Sequence, residues 1–114
     1  MRNEAFIMKY NKLVRDKIPT IIEEDGKRCR FSVLDQKAYR EKLVEKFHEE
    51  TIEFEETTND DEAIEELADL LELIHAAATL HGQSIEEVER VRMAKKERRG
   101  GFEKKLLLIE VSDA

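Results

Sequence analysis

Tryptophan is absent from the sequence, and phenylalanine and tyrosine together make up only 6% of the 114 residues. The core of a folded domain must therefore be built from aliphatic side chains. A chain of this length fits one domain, which buries a modest fraction of its surface when alone. Hydrophobic residues at 40% suffice for folding, and charged residues at 41% favour amphipathic helices completed by self-association.

Cysteine and long apolar segments are also scarce. The single cysteine, Cys29, can form neither an internal disulfide nor a cysteine-based metal site, which is typical of a free thiol in a reducing cytosol. No apolar segment approaches the roughly 20 residues needed to span a membrane, and the start lacks the features of a signal peptide. We therefore expect a cytoplasmic protein without a membrane partner. Residues 1–8 are expected to be a flexible extension of a single domain, 9–114.

Charge is unevenly distributed along a chain of net charge −7. Residues 41–72 contain 14 acidic and 2 basic side chains, whereas residues 90–105 contain 8 basic and 2 acidic ones. The first segment could hold cations and the second phosphates, although two solvated helix faces would give the same pattern. A nucleic-acid partner is not expected, because the chain is acidic overall and its basic segment has one aromatic residue, Phe102.

Turn and cap residues predict the first two helices. Asp16 is expected to cap a short helix that carries Pro19 in its first turn and ends at Gly26. Asp35 is expected to cap a longer helix over residues 36–57.

Two more helices and two irregular segments follow from the same signals. Asn59–Asp61 should begin a helix that ends near Leu80, and Ser84 with Glu87 should form a capping box for a helix to Arg99. Residues 28–33 alternate in polarity and predict an extended segment, and residues 106–111 predict a short strand or a docking segment. The expected fold is an all-α, small helical bundle. The third helix is apolar over so wide an arc that a homodimer or a dimer of dimers should cover it.

Four carboxylates fall on or beside the apolar faces of the second and third helices. At 100° per residue, Glu50 lies within the apolar stripe of its helix and Glu53 lies at its edge. Glu66 lies within the apolar arc of the third helix, with Asp69 at its margin. A carboxylate on a core face is unfavourable unless it is paired or bound to a metal. No lysine or arginine of either helix is expected to accompany these four.

The four carboxylates should also lie at one level. If the helices pack antiparallel around a turn near Asn59, Glu50 lies about 13 Å from that turn and Glu66 about 11 Å, at 1.5 Å per residue. An all-oxygen ligand set favours Mg²⁺, with Mn²⁺ as a substitute, over Zn²⁺. The sequence therefore predicts a magnesium site carried by a helix hairpin.

A di-iron site is the competing interpretation. Glu45-x-x-His48 and Glu72-x-x-His75 match the helical spacing of di-iron bundle proteins. Glu45 and His48, however, point away from the apolar stripe, and Glu72 lies on the polar side of its helix, which disfavours an inward-facing site.

The complete motif is Glu49-Glu50-x-x-Glu53 followed, after twelve residues, by Glu66-x-x-Asp69. It resembles the paired motifs of the all-α nucleoside triphosphate pyrophosphatases, the MazG-like and phosphoribosyl-ATP pyrophosphohydrolase-like proteins. Residues 10–19 resemble the N-terminal signature of one branch of this superfamily, and residues 95–102 resemble its C-terminal segment. The resemblance covers about residues 9–111.

The resemblance implies Mg²⁺-dependent cleavage of a nucleotide between its α- and β-phosphates, which gives a monophosphate and pyrophosphate. The implied metal ligands are Glu50, Glu53, Glu66 and Asp69. Glu49 or another carboxylate would accept the proton of the attacking water.

The resemblance also indicates substrate contacts. Phosphate would be bound by Lys12, Arg15, Lys95 and Arg99, although each could equally be a surface cation, and Asn11 would contact the base or the sugar. His48 departs from the pattern, which favours a small apolar or acidic residue there. The main alternative function is a non-enzymatic helical interaction module with an acidic face.

Overall fold

The computed structural model describes residues 7–113, in which four α-helices and no β-strand occur. The expected all-helical class is therefore confirmed for this part of the chain. The helices are α1 (Ile18–Glu24), α2 (Gln36–Glu55), α3 (Asp60–Leu80) and α4 (Ile85–Arg99). Of the predicted N-terminal extension, residues 1–6 lie outside the described residues, and residues 7 and 8 have no regular structure.

The two long helices begin at the predicted caps. The Asp35 carboxylate accepts a hydrogen bond of 2.8 Å from the Ala38 backbone N–H. The Asn59 side chain accepts one of 2.9 Å from the Glu62 N–H, and the Glu62 carboxylate accepts one of 3.0 Å from the Thr58 N–H. The connection between α2 and α3 is thus held by reciprocal hydrogen bonds that satisfy backbone donors free at a helix start.

Of the other two predicted caps, Asp16 is wrong, and Ser84 is confirmed without the reciprocal contact of Glu87. Lys17, not Asp16, precedes the first turn of α1, and no side chain caps this helix, so Pro19 is its main start signal. At α4, the Ser84 hydroxyl accepts from the Glu87 N–H at 3.2 Å, which is half of a capping box. The Glu87 carboxylate instead accepts two hydrogen bonds from Arg90, because a bidentate guanidinium is the stronger partner.

Helices α2 and α3 form an antiparallel hairpin. The amide of Gln36, in the first turn of α2, donates to the carbonyl of Leu80, in the last turn of α3, at 3.5 Å. The buried apolar residues of the described chain are Leu43 on α2 and Leu73 and Ala78 on α3. The core of the single chain is therefore a thin seam along this hairpin.

The remaining segments add little to that core. Helix α4 packs on α3, whereas α1 packs on none of the other helices. Residues 28–33 form no ladder with another segment, and residues 106–111 are exposed without strand structure. The expected strand or docking contact of residues 106–111 is thus not formed within the described chain. None of the described helices is long and apolar enough to cross a membrane.

Candidate metal centre

The hairpin brings five carboxylates together in two overlapping groups. Glu49, Glu50 and Glu53 form one group and Glu50, Glu66 and Asp69 the other. Within each group the candidate ligand oxygens all lie within 4.8 Å of one another. Glu50 belongs to both groups, so α2 and α3 meet at this side chain.

Local sequence explains this convergence. Residues three apart lie on the same side of a helix, which places Glu53 beside Glu50 and Asp69 beside Glu66. The four-residue connection between α2 and α3 then sets the two pairs at the same level. The structure therefore brings the four predicted ligands and Glu49 together in these two groups.

Two oxygens of the cluster lack a hydrogen-bond partner. Glu50 is 5% exposed, and its Oε2 atom and the Oε2 atom of Glu66 are buried without a donor among the described residues. A buried polar atom of this kind is unfavourable unless a proton or a cation compensates it. The donor set consists of carboxylate oxygens alone, which fits a hard divalent cation such as Mg²⁺ or Mn²⁺.

The protonation of the cluster reflects the same crowding. Burial, followed by the carboxyl groups of Glu66 and Glu53, raises the pKa of Glu50 to about 8. The hydrogen bond with Glu50 lowers the pKa of Glu66, but burial and the charges of Glu53 and Asp69 outweigh it and raise that pKa overall. With a pKa of about 8, Glu50 holds a proton at neutral pH at the position that a divalent cation would take.

The expectation that no helix cation accompanies the carboxylates was wrong. Lys46 of α2 lies 3.3 Å from Glu49 and 3.8 Å from Glu50, and its side chain is mostly buried. Its spacing of three and four residues from the two glutamates puts it on the same helix face. A lysine can bury its aliphatic stem while its ammonium group reaches a carboxylate, which agrees with the low exposure of this side chain.

Two cations from the N-terminal segment reach the cluster as well. Lys12 Nζ donates to Glu49 Oε1 at 2.9 Å, and Arg15 Nη2 donates to Asp69 Oδ1 at 2.6 Å. The hydrogen bond from Lys12 lowers the pKa of Glu49, and the same contact raises the pKa of Lys12. Asn11 participates through its backbone carbonyl, which accepts from Lys42 Nζ at 3.1 Å.

The other predicted substrate contacts lie away from the cluster. Lys95 and Arg99 are exposed on α4, and in the described chain neither makes a hydrogen bond or ion pair to the carboxylates. His48 and His75 are exposed, and no candidate metal group of residues 7–113 includes a histidine. The geometry thus favours the carboxylate cluster over the di-iron spacing.

Comparisons with models of known protein families, with curated proteins and with solved structures gave no match. The chemistry open to the site follows from its own residues. Five carboxylates can hold a divalent cation, and three flanking cations can neutralise the carboxylates or a bound anion.

Proposed function

We propose that the protein is a Mg²⁺-dependent nucleotide pyrophosphohydrolase of the all-α nucleoside triphosphate pyrophosphatase type, with a MazG-like fold. It would cleave between the α- and β-phosphates to give a nucleoside monophosphate and pyrophosphate. The observation that carries the proposal is the carboxylate cluster of the hairpin, with buried oxygens of Glu50 and Glu66 that lack a donor. The proposal is also supported by three motifs, at residues 10–19, 49–69 and 95–102, that resemble those of this superfamily and follow one another in the same order.

The proposed ligands of Mg²⁺ are Glu50, Glu53, Glu66 and Asp69, and Mn²⁺ could substitute. The bound cation would neutralise phosphate oxygens and lower the pKa of a water molecule. Glu49 is kept anionic by Lys12 and Lys46. A carboxylate with a lowered pKa orients a water well by accepting a hydrogen bond, but it retains a proton poorly. Another carboxylate of the cluster could therefore take the proton.

The positions of Lys12 and Arg15 favour a substrate that carries a phosphate chain. Both already lie beside the candidate ligands, and guanidinium and ammonium groups bind phosphate oxygens with charge-assisted hydrogen bonds. A divalent cation flanked by such donors is a typical arrangement for phosphoryl chemistry.

The protein is proposed to act as a homodimer or a dimer of dimers. Four exposed apolar residues of α3 repeat at intervals of three, four and three positions: Ile64, Leu67, Leu71 and Ile74. This spacing is typical of the seam along which helices of two chains pack.

The direct test is a panel of nucleoside triphosphates and related nucleotides with Mg²⁺, in which pyrophosphate and orthophosphate are detected separately. Pyrophosphate release that requires Mg²⁺ is expected for at least one nucleotide. Glu66→Gln should lower turnover at least roughly a hundredfold. Glu65→Gln is the matched control, because Glu65 is adjacent on α3 but exposed and outside the cluster. Absence of turnover and of any Mg²⁺ effect on stability would favour the interaction module instead.

A further inference from the structure

The N-terminal segment Tyr10–Lys17, here called the strap, connects the two helices of the hairpin at the carboxylate cluster. Lys12 ties it to Glu49 on α2, and Arg15 ties it to Asp69 on α3. These pairs join residues 37 and 54 positions apart in the sequence, so they fix where the strap lies. Lys42 holds it at a third point, the carbonyl of Asn11.

The strap is held mainly by exposed polar contacts. The side chains of Lys12 and Arg15 are 43% and 58% exposed, and ion pairs at such exposure are weak and screened by salt. Of the apolar residues of the strap, Tyr10 and Val14 are exposed and Leu13 is half-buried, so the strap has one partial apolar anchor beside its polar contacts. The two ion pairs can therefore exchange without disturbing the hairpin core.

Of the two paired carboxylates, Asp69 is a proposed ligand of Mg²⁺, and Glu49 lies beside the proposed ligands Glu50 and Glu53. Asp69 shares a group of candidate ligand oxygens with Glu50 and Glu66, and Glu49 shares one with Glu50 and Glu53. A divalent cation in either group would compete with a strap cation for a carboxylate and would repel it through like charge.

We propose that Lys12 and Arg15 are exchangeable counter-ions of this site. Mg²⁺ displaces Arg15 from its ligand Asp69 and Lys12 from the neighbouring Glu49, and both cations then bind the phosphates of the nucleotide. The inference rests on the proposed function and adds regulation of the same site. Mg²⁺ alone must compete with Lys12 and Arg15 for the carboxylates. A nucleotide offers the displaced cations new anionic partners, its phosphates. Metal and nucleotide therefore favour each other's binding, and the coupling passes through the strap.

Calorimetric titration of the full chain with MgCl₂, without nucleotide and at low ionic strength, tests the competition. Lys12→Met and Arg15→Met should each bind Mg²⁺ roughly two- to fivefold more tightly than the wild type, the range expected for an exposed ion pair. Lys17→Met is the matched control, since it removes the same charge from the end of the strap but Lys17 makes no ion pair in the described chain. The Mg²⁺ affinity of Lys17→Met should differ from that of the wild type less than the affinity of Lys12→Met or Arg15→Met does.

Limited trypsin digestion of the wild type supplies a second readout that does not depend on activity. Cleavage after Lys12 and Arg15 is compared with cleavage after Arg28, an exposed residue of an irregular segment without an ion pair in the described chain. Saturating MgCl₂ should raise the ratio of cleavage after Lys12 and Arg15 to cleavage after Arg28, because release of the ion pairs frees the strap from the hairpin.

The outcomes separate the two proposals. If the wild type binds no Mg²⁺, both the metal site and the strap competition are wrong. If it binds Mg²⁺ but Lys12→Met and Arg15→Met bind with wild-type or weaker affinity, the competition is wrong while the metal site stands. An unchanged cleavage ratio at saturating Mg²⁺ also contradicts release of the strap.

Discussion

At the scale of single residues, Glu50 is the side chain on which the site depends. It is nearly buried in the hairpin seam, and it is the one carboxylate shared by both candidate metal groups. Because it is buried and its neighbours on both helices are acidic, the pKa of Glu50 is raised and it holds a proton well above the pH at which a free glutamate loses it. Proton and divalent cation therefore compete for the same position.

This competition predicts an unusual pH dependence of stability. The pKa of Glu50 is raised to about 8 in the folded chain, from 4.5 in the unfolded chain. The folded state thus binds the proton more tightly, and this stabilisation is complete below pH 4.5 and lost as the pH rises through about 8. In EDTA, the melting temperature should fall between pH 6 and pH 9. Melting curves across this range measure the effect.

Two comparisons make that prediction specific. Glu50→Gln cannot lose a proton at this position, so its melting temperature in EDTA should depend less on pH. With excess Mg²⁺ the wild type should gain more stability as the pH rises, because the cation no longer displaces a proton. A wild-type melting temperature that rises with pH in EDTA would contradict the raised pKa.

Glu53 provides a second test at this scale. Its charge contributes to the raised pKa of both Glu50 and Glu66, so it repels both of them. In EDTA, Glu53→Gln should melt at the same or a higher temperature than the wild type, with a gain of order 1 kcal/mol. Added Mg²⁺ should stabilise the variant much less than the wild type, and turnover should fall at least roughly a hundredfold. Paired melting curves and pyrophosphate release measure these effects.

The control for Glu53 is Glu55→Gln, which removes a charge from an exposed position of the same helix outside the cluster. It should retain the wild-type response to Mg²⁺. If Glu53→Gln is destabilised in EDTA, keeps its Mg²⁺ response and still turns over, Glu53 does not belong to the site.

How much of the site is predictable depends on how local its geometry is. Glu50 and Glu66 follow from helical phase, because each interrupts an apolar face on its own helix. Lys46 was equally predictable, because it lies three and four positions before Glu49 and Glu50, yet no helix cation was expected there. The contacts of Lys12 and Arg15 join distant positions of the chain, and no local period indicates which carboxylate each cation reaches.

At the scale of elements, the connection between α2 and α3 determines the relative level of the carboxylates. Asn59 caps α3, and the Glu62 carboxylate binds back to Thr58, so the turn has a defined geometry. The helix starts with strong side-chain caps were predictable to within a residue. The capping residue of α1 and the partner of Glu87 were not, because no side chain caps α1 and Arg90 occupies the Glu87 carboxylate, whereas Gly26 follows the end of α1 as predicted.

Asn59→Ala should therefore destabilise the hairpin. Loss of the cap typically costs about 1 kcal/mol of the free energy of unfolding. Asn59→Asp keeps an acceptor and adds a negative charge at the start of α3, so it should remain near wild-type stability. Chemical denaturation followed by circular dichroism measures both variants.

Ser84→Ala removes the cap of another helix, α4, and its effect is compared with that of Asn59→Ala. The Ser84 hydroxyl caps α4, which packs less extensively than the hairpin, so its loss should affect global unfolding less than the loss of the Asn59 cap. Equal effects of the two substitutions would show that α4 unfolds together with the hairpin.

At the scale of the whole molecule, the single chain leaves much of its surface uncovered. Its accessible area is 11159 Å², against about 6,500 Å² for a compact monomer of this mass. Its radius of gyration is 19.9 Å, whereas a compact chain of this length has about 13 Å. The wide apolar arc of α3, visible in the sequence, remains exposed because α2 and α4 cover only part of it.

A second copy of the chain is the partner that we expect on this surface. Ile64, Leu67, Leu71 and Ile74 form an exposed seam on α3 with the spacing of helix pairing between chains. Two such seams would bury one another across a two-fold axis, as in most homodimers.

Light scattering at micromolar concentration should accordingly give at least twice the 13.4 kDa mass of the chain. Leu71→Glu places a charge in the middle of the seam, where burial in the interface would desolvate it, so this variant should shift towards monomer. Val33→Glu is the matched control, since it introduces the same charge at a residue that is 93% exposed and distant from α3 in sequence. A monomeric wild type would show that the seam is not an interface between copies. A Leu71→Glu variant that remains fully dimeric would place the interface elsewhere, since a buried glutamate at the centre of the seam could not be tolerated without loss of affinity.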